Sequence, residues 1–210
     1  DIYCWLETYR GIRCRAFLWP SVRAEIFIAM LELPFMQVDL SASWHPRVEA
    51  SDAAPGGHGR AWTRCAPSYV AEACRLSESK GVHTSLATEH GLSLEHVDKC
   101  PMKQIAFDYH QFHWCTAARP GGYNHITREE GAACIWSLHD RLRRPDEHGV
   151  RALRLLDSAA FVGACKKGRS ASRHINALCR QINAIVKAGG LELFFAWVAT
   201  DNNPADEPSS

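Results

Sequence analysis

No stretch of this chain approaches the run of about eighteen uncharged apolar residues that a membrane span needs, and the N-terminus lacks the basic-then-apolar order of a signal peptide. Both absences argue against a membrane partner and lead to the expectation of an intracellular protein, nuclear or cytoplasmic. Paired cysteines are missing too. The nine cysteines are odd in number and scattered, which favours reduced thiols over a disulfide framework. Cys65, Cys74, His83, His90, His96 and Cys100 crowd one region, but their spacings fit no compact ligand pattern, which argues against structural zinc. An overall excess of one charge is also lacking: 24 Lys and Arg stand against 23 Asp and Glu, a net charge of +1.

What is present is enough apolar sequence, 46% of 210 residues, to bury a full core as one domain with an appendage. The near-neutral total hides an asymmetry. From Arg141 to Gly190 there are eleven Lys or Arg against three acids, Asp146, Glu147 and Asp157. Such an excess reads either as a phosphate-binding face or as a solvated helix surface, and charge alone does not separate the two.

Residues 1–40 read as helical, with Trp19-Pro20-Ser21 as a start, an apolar stripe of Val22, Ile26, Ala29, Met30 and Leu33, and Pro34 as the stop. Arg47 to Asp52 reads as a strand followed by a turn over Ala53-Ala54-Pro55-Gly56-Gly57-His58-Gly59, with a second strand from about Arg60. Helices are expected at 70–76 and 92–97, and one or two strands at 107–114 before the turn Arg119-Pro120-Gly121-Gly122. A helix over 127–142 has Thr127 and Glu130 at capping-box spacing. Val150 to Leu156 is a buried strand that ends in Asp157-Ser158, where open α/β sheets place their ligands. A short helix then runs to Cys165, a longer one carries Ile175, Leu178, Ile182 and Ile185 to Gly189-Gly190, and Leu191 to Val198 is a last strand.

Asp52, Glu130, Asp157 and Asp206 thus stand on separate elements. Taken singly, Asp52 reads first as a turn former and Glu130 first as a capping residue. Four gathered carboxylates would repel one another unless cations joined them, so the set suggests a divalent metal site.

Assembled in order, these residues resemble the ribonuclease H domain of retroelement reverse transcriptases, in particular elements of the tyrosine-recombinase (DIRS-like) type. The likeness rests on Ser51-Asp52-Ala53, on His125-Ile126-Thr127 before Glu130, and on Leu156-Asp157-Ser158. It continues through Lys167-Gly168-Arg169-Ser170-Ala171-Ser172 to Trp197-Val198 and Asn203-Pro204-Ala205-Asp206-Glu207-Pro208-Ser209. It implies an α/β fold: a mixed five-stranded sheet, the first three strands antiparallel, with helices on both faces. Residues 1–44 would be the tail of a polymerase-connecting segment, and 45–210 the ribonuclease H-like domain with an insertion folding out at about 65–107. No polymerase motif of adjacent aspartates is present.

The resemblance further implies a hydrolase that cuts the RNA strand of RNA-DNA hybrids with two Mg²⁺, or Mn²⁺, inside a polyprotein that includes the polymerase domain. Asp52 would bridge the ions, Asp206 would serve the nucleophile side, and Glu130 and Asp157 the leaving-group side. Ser158, Lys166, Lys167, Arg169, Ser170, Ser172 and Arg173 are the expected nucleic-acid contacts. Three departures from the family stand out: the separation of Asp52 from Glu130, the absence of a histidine shortly before Asp206, and Ser210 where an arginine is usual. The alternative is a decayed relic that keeps the fold and binds without cutting; a third reading is a nuclease of the same fold acting on DNA.

Overall fold

The structure is a computed structural model that describes residues 1–13, 15–35, 37–54, 57–77, 107–118 and 125–209. The chain divides into two compact units, Asp1–Asp39 and Leu40–Ser210. The first holds helices α1 (Ile2–Thr8) and α2 (Pro20–Glu32), followed by a 3-10 turn at Leu33–Phe35. Pro20 at the first helical position starts α2 as read from the sequence. Glu25 accepts from the Asp1 amino group and the Ile2 amide, at 2.7 and 2.8 Å. Of the expected apolar stripe, Val22 is buried whereas Met30 and Leu33 are exposed.

The second unit is built on five strands: β1 (Arg47–Ala54), β2 (Gly57–Arg64), β3 (His113–Ala118), β4 (Arg151–Leu156) and β5 (Glu192–Trp197). Their order is β3-β2-β1-β4-β5, with β1, β2 and β3 antiparallel and β4 and β5 parallel to β1. This is the ribonuclease H-like layout, a mixed sheet with β1 and β4 side by side. The isolated bridge of Trp44 to Arg151 draws the residues just before β1 into the sheet, so the unit begins at Leu40, a few residues ahead of the expected boundary.

Alternation along the strands sorts two cores onto the two faces. On one face Val48, Ala50, Ala61, Leu153, Leu155, Ala196 and Val198 pack with Val70, Ala73 and Cys74 of α3 (Pro67–Ser77) and with Phe107 and Phe112. The region expected to fold out as an insertion therefore begins with a helix that is part of the core; residues 78–106, including the expected helix at 92–97 and the histidines of the zinc reading, lie outside the described residues. On the other face Leu156, Leu193, Phe195 and Trp197 meet α4 (Ile126–Leu142), α5 (Ala159–Lys167) and α6 (Arg173–Gly189) through Ile135, Leu138, Phe161, Leu178 and Ile182. Gly168 and Gly190 end α5 and α6 in the left-handed conformation, at φ +66 and +59. A four-residue helix α7 (Asp206–Ser209) closes the described chain.

Beneath β1 and α4 lies a buried ionic layer. Glu49 accepts from Arg154 at 2.6 Å and pairs with Arg47 at 3.0 Å, while Arg47 and Arg141 reach Glu147 at 2.8 and 3.3 Å. Burial alone would raise the Glu49 pKa, but Arg154, Arg141 and Arg47 outweigh it and hold the carboxyl below its ordinary range.

Three local expectations change. The segment read as strand from Phe107 starts with a 3-10 turn at Tyr109–Gln111, and the strand begins at His113. The capping box of Thr127 and Glu130 does not form. His125 is the N-cap of α4 and its Nδ1 accepts from the Thr127 amide at 3.3 Å, so the helix begins one residue before Thr127 and Glu130 has no capping duty. The turn read over 53–59 is shorter than expected, because β1 runs on through Ala54 and β2 already begins at Gly57, with Ala53 paired to His58 and Ala54 to Gly57; residues 55–56 and 119–122 lie outside the described residues.

Candidate metal centre

Asp52 sits near the end of β1, paired in register with Gly59 of β2. Asp157 follows the last residue of the neighbouring strand β4, and its backbone is fixed there: its carbonyl accepts from Trp197 Nε1 at 2.8 Å, beside the Val198 amide bond to Leu156 O at 2.9 Å. Glu130 enters from the second turn of α4. One carboxylate oxygen of each residue lies within 4.8 Å of the others, forming a cluster able to hold a metal ion.

The electrostatics of the three are those of crowded acids. Burial, followed by the charges of Asp157 and Asp52, pushes Glu130 up to about 9. Burial also raises Asp52, with the charge of Asp157 adding to it, although a bond from Ser209 works the other way. Glu130 Oε2 and Asp157 Oδ1 are buried without a hydrogen-bond donor among the described residues. Acceptors crowded together in this way are joined by a proton, a water or a cation, and a cation joins them without any donor from the protein. This donorless pair is what makes the residues fit a divalent cation. The oxygen-only donor set suits a hard ion such as Mg²⁺.

Asp206, the fourth expected carboxylate, is exposed at the rim and outside the tight three-residue cluster. It is nevertheless close enough to Asp52 to feel it: burial, then the charge of Asp52 and a hydrogen bond with it, raise the Asp206 pKa. Ser209, three residues further on, places its Oγ 2.6 Å from Asp52 Oδ2. Sequence reading did not assign Ser209 a role, and its distance of 157 positions from Asp52 left no local signal to find it.

Glu129 shows why its neighbour is free. It turns to β2, where His58 Nε2 lies 3.1 Å from Glu129 Oε2 in a buried pair, while Glu130, one residue on, points to the cluster.

The expected nucleic-acid contacts divide into two groups. Ser170, Ser172 and Ser158 have local positions. Ser172 caps α6 by accepting from the Ile175 amide at 3.4 Å, Ser170 Oγ accepts from the Ser172 amide at 3.2 Å, and Ser158 occupies the N-cap position of α5 without a side-chain cap. The Lys166 ammonium donates to the Ser77 carbonyl at the end of α3. Lys167, Arg169 and Arg173 are exposed around the α5–α6 junction. Close by, the N-terminal ends of α4 and α6 share a cleft of about 510 Å³ lined by His125, Thr127, Arg128, Ser172, His174 and Ile175. The Thr127 and Ile175 amides are already held by His125 and Ser172, but the partial positive charge at the two helix starts still favours an anion in this cleft.

No helix among the described residues is long and apolar enough to cross a membrane. No protein-family model and no curated protein matches this sequence.

Proposed function

We propose that the chain hydrolyses phosphodiesters by divalent-metal catalysis, cutting the RNA strand of RNA-DNA hybrids as part of a retroelement reverse transcriptase. The observation that carries this reading is the carboxylate cluster at the ends of the adjacent parallel strands β1 and β4, in which Glu130 Oε2 and Asp157 Oδ1 meet no donor among the described residues. Asp52, Glu130 and Asp157 would hold the metal, and Asp206, beside Asp52 at the open rim, is the group best placed to complete the set when substrate arrives. When bound, a pair of Mg²⁺ or Mn²⁺ ions would supply an activated water and relieve the charge gathering on the phosphoryl oxygens. The protein's own part is to keep the acids aligned: β1 and β4 fix two of them through sheet register, and α4 carries the third.

The cleft between α4 and α6 supports a nucleic-acid substrate. Glu130 stands five residues beyond His125, about 7.5 Å along the helix at 1.5 Å per residue, so a phosphate held at the two helix starts would lead its strand past the cluster. Lys167, Arg169 and Arg173 extend the same positive flank.

The test is cleavage of labelled RNA-DNA hybrid, duplex RNA and duplex DNA with Mg²⁺ or with chelator. Chelator-sensitive cutting of the hybrid alone, abolished by Asp157→Asn, is the expected outcome. Cutting of duplex DNA would assign another nuclease specificity, and hybrid binding without cutting would indicate a relic that retains the interface.

A further inference from the structure

The C-terminal helix α7 belongs to the carboxylate site through one side chain that the metal reading does not use. Ser209 is 1% exposed, and its Oγ lies 2.6 Å from Asp52 Oδ2 and 2.8 Å from the Asp206 carbonyl oxygen. A hydroxyl has one proton to give, and the shorter contact is to the carboxylate, where a charge-assisted bond is the stronger choice. Among the described residues Glu130 Oε2 and Asp157 Oδ1 have no donor, whereas Asp52 has this one.

The seat of α7 is shaped for that contact. Gly59 faces Asp52 across the β1–β2 ladder, and a Cβ there would lie 2.2 Å from the Ala205 carbonyl oxygen and 2.7 Å from the Ser209 amide nitrogen. The backbone of α7 therefore rests directly on the strand. The approach is set by Asn203, 1% exposed, whose Oδ1 accepts from the Ala205 amide at 3.2 Å.

We propose that Ser209 is the positioning residue of this site: its hydroxyl holds the Asp52 carboxylate in the ligating orientation and sets Asp206, one helical turn earlier, beside it. The proposal rests on the reading of the carboxylates as a divalent-metal site. A carboxylate has about four lone-pair positions, so one bond from Ser209 leaves Asp52 able to bind metal while stopping it from swinging away from Asp157. Groups that orient metal ligands typically change metal affinity by about 10- to 100-fold when removed.

The experiment titrates the full chain with Mn²⁺ and reads free ion by electron paramagnetic resonance, comparing Ser209→Ala, Ser209→Val and Ser209→Thr with the parent. Val and Thr share bulk and differ in the hydroxyl, so they separate the bond from the packing. Melting in chelator checks that each variant folds, and Glu207→Ala, an exposed position on the same helix, is the control. Expected is a loss of affinity of about tenfold or more in Ala and Val, with Thr and the control close to the parent. Ala binding as tightly as the parent, or Thr binding as weakly as Val, overturns the proposal and leaves the metal site standing. A parent that takes up no Mn²⁺ overturns both, whereas a parent that binds Mn²⁺ and cuts no hybrid sinks only the nuclease function.

Discussion

Glu130 and Asp157 come together from different elements, α4 and the end of β4, with oxygens inside a 4.8 Å cluster and one buried oxygen on each that meets no donor. A folded chain holds such a pair only at a cost in stability, which a cation can offset.

The first prediction follows from that cost. Above about pH 9, where Glu130 has given up its proton, Glu130→Gln and Asp157→Asn each supply a donor to the pair and remove one charge, so the metal-free protein should become more stable there, by about 1–2 kcal/mol or roughly 2–8 °C in Tm at this chain length. Metal uptake should be lost in the same variants. Melting with chelator and with Mg²⁺ measures both; destabilised variants in chelator would show that the pair is not strained.

The pH dependence has two arms of opposite sign. Glu130 is raised from 4.5 to about 9, so above 4.5 the folded chain keeps a proton that the unfolded chain releases, and stability falls as pH climbs towards 9. Asp52 acts in the same direction. Glu49 is lowered, so its contribution is present above its ordinary value and is lost as pH falls through the depressed one. In chelator, Tm should therefore peak at mildly acidic pH. Bound Mg²⁺ should flatten the alkaline arm, because the ion takes the place of the proton, and below about pH 9 its binding should release protons into a weakly buffered solution.

The elements of the sheet were legible because their patterns are strong. Arg151 to Leu156 forms a strand that is buried from Ala152 onward, and the long face of α6 repeats at helical spacing up to a glycine exit. Asp157 could be picked out because it ends a buried strand, whereas Asp52 taken singly reads first as a turn former; the fold brings both together with Glu130 in a cluster able to hold a metal ion. The exposed basic face was harder to read. Arg141 and Arg154, counted from the sequence towards a phosphate-binding surface, are fully buried on Glu49 and Glu147. The cap of α4 was misread because His125 is an uncommon cap beside an apparently ideal Thr-x-x-Glu. Ser209 and Gly59 could not be found at all, because their roles exist only after β2 and the C-terminal turn have met in space.

Binding of nucleic acid should depend on salt through the residues that stayed exposed. Lys167→Ala with Arg173→Ala should weaken hybrid binding and reduce the slope of log affinity against log salt by about 1–2, while Mn²⁺ affinity is unchanged. Fluorescence anisotropy at several salt concentrations measures the slope. An unaltered slope would place the phosphates elsewhere.

Gly59→Ala should dislodge α7. Its Cβ would meet backbone atoms of Ala205 and Ser209, which cannot yield as a flexible side chain does, so the C-terminal turn must lift. Overpacking of this kind costs about 1–3 kcal/mol, and here it also withdraws Ser209 from Asp52 and moves Asp206. Metal affinity and hybrid cleavage should drop together. Gly163, where an added Cβ meets no atom within 4 Å among the described residues, is the matched control: Gly163→Ala should leave both unchanged.

Glu49 gives the last prediction, because it separates the support of the site from the site itself. Its carboxylate is fully buried and bound by Arg154 and Arg47, with Arg141 at 3.6 Å. Removing it in Glu49→Ala leaves three buried guanidiniums with Glu147 as their remaining acid partner in the layer, a loss on the order of 3–5 kcal/mol. The substitution lies on the face of β1 opposite Asp52 and leaves every carboxylate of the cluster in place. Its effect should therefore be on denaturant midpoint, with Mn²⁺ affinity of the folded fraction unaltered. Stability that survives Glu49→Ala would mean that the arginines have other partners. Lost metal affinity in a folded Glu49→Ala protein would mean that β1 transmits strain from one face to the other.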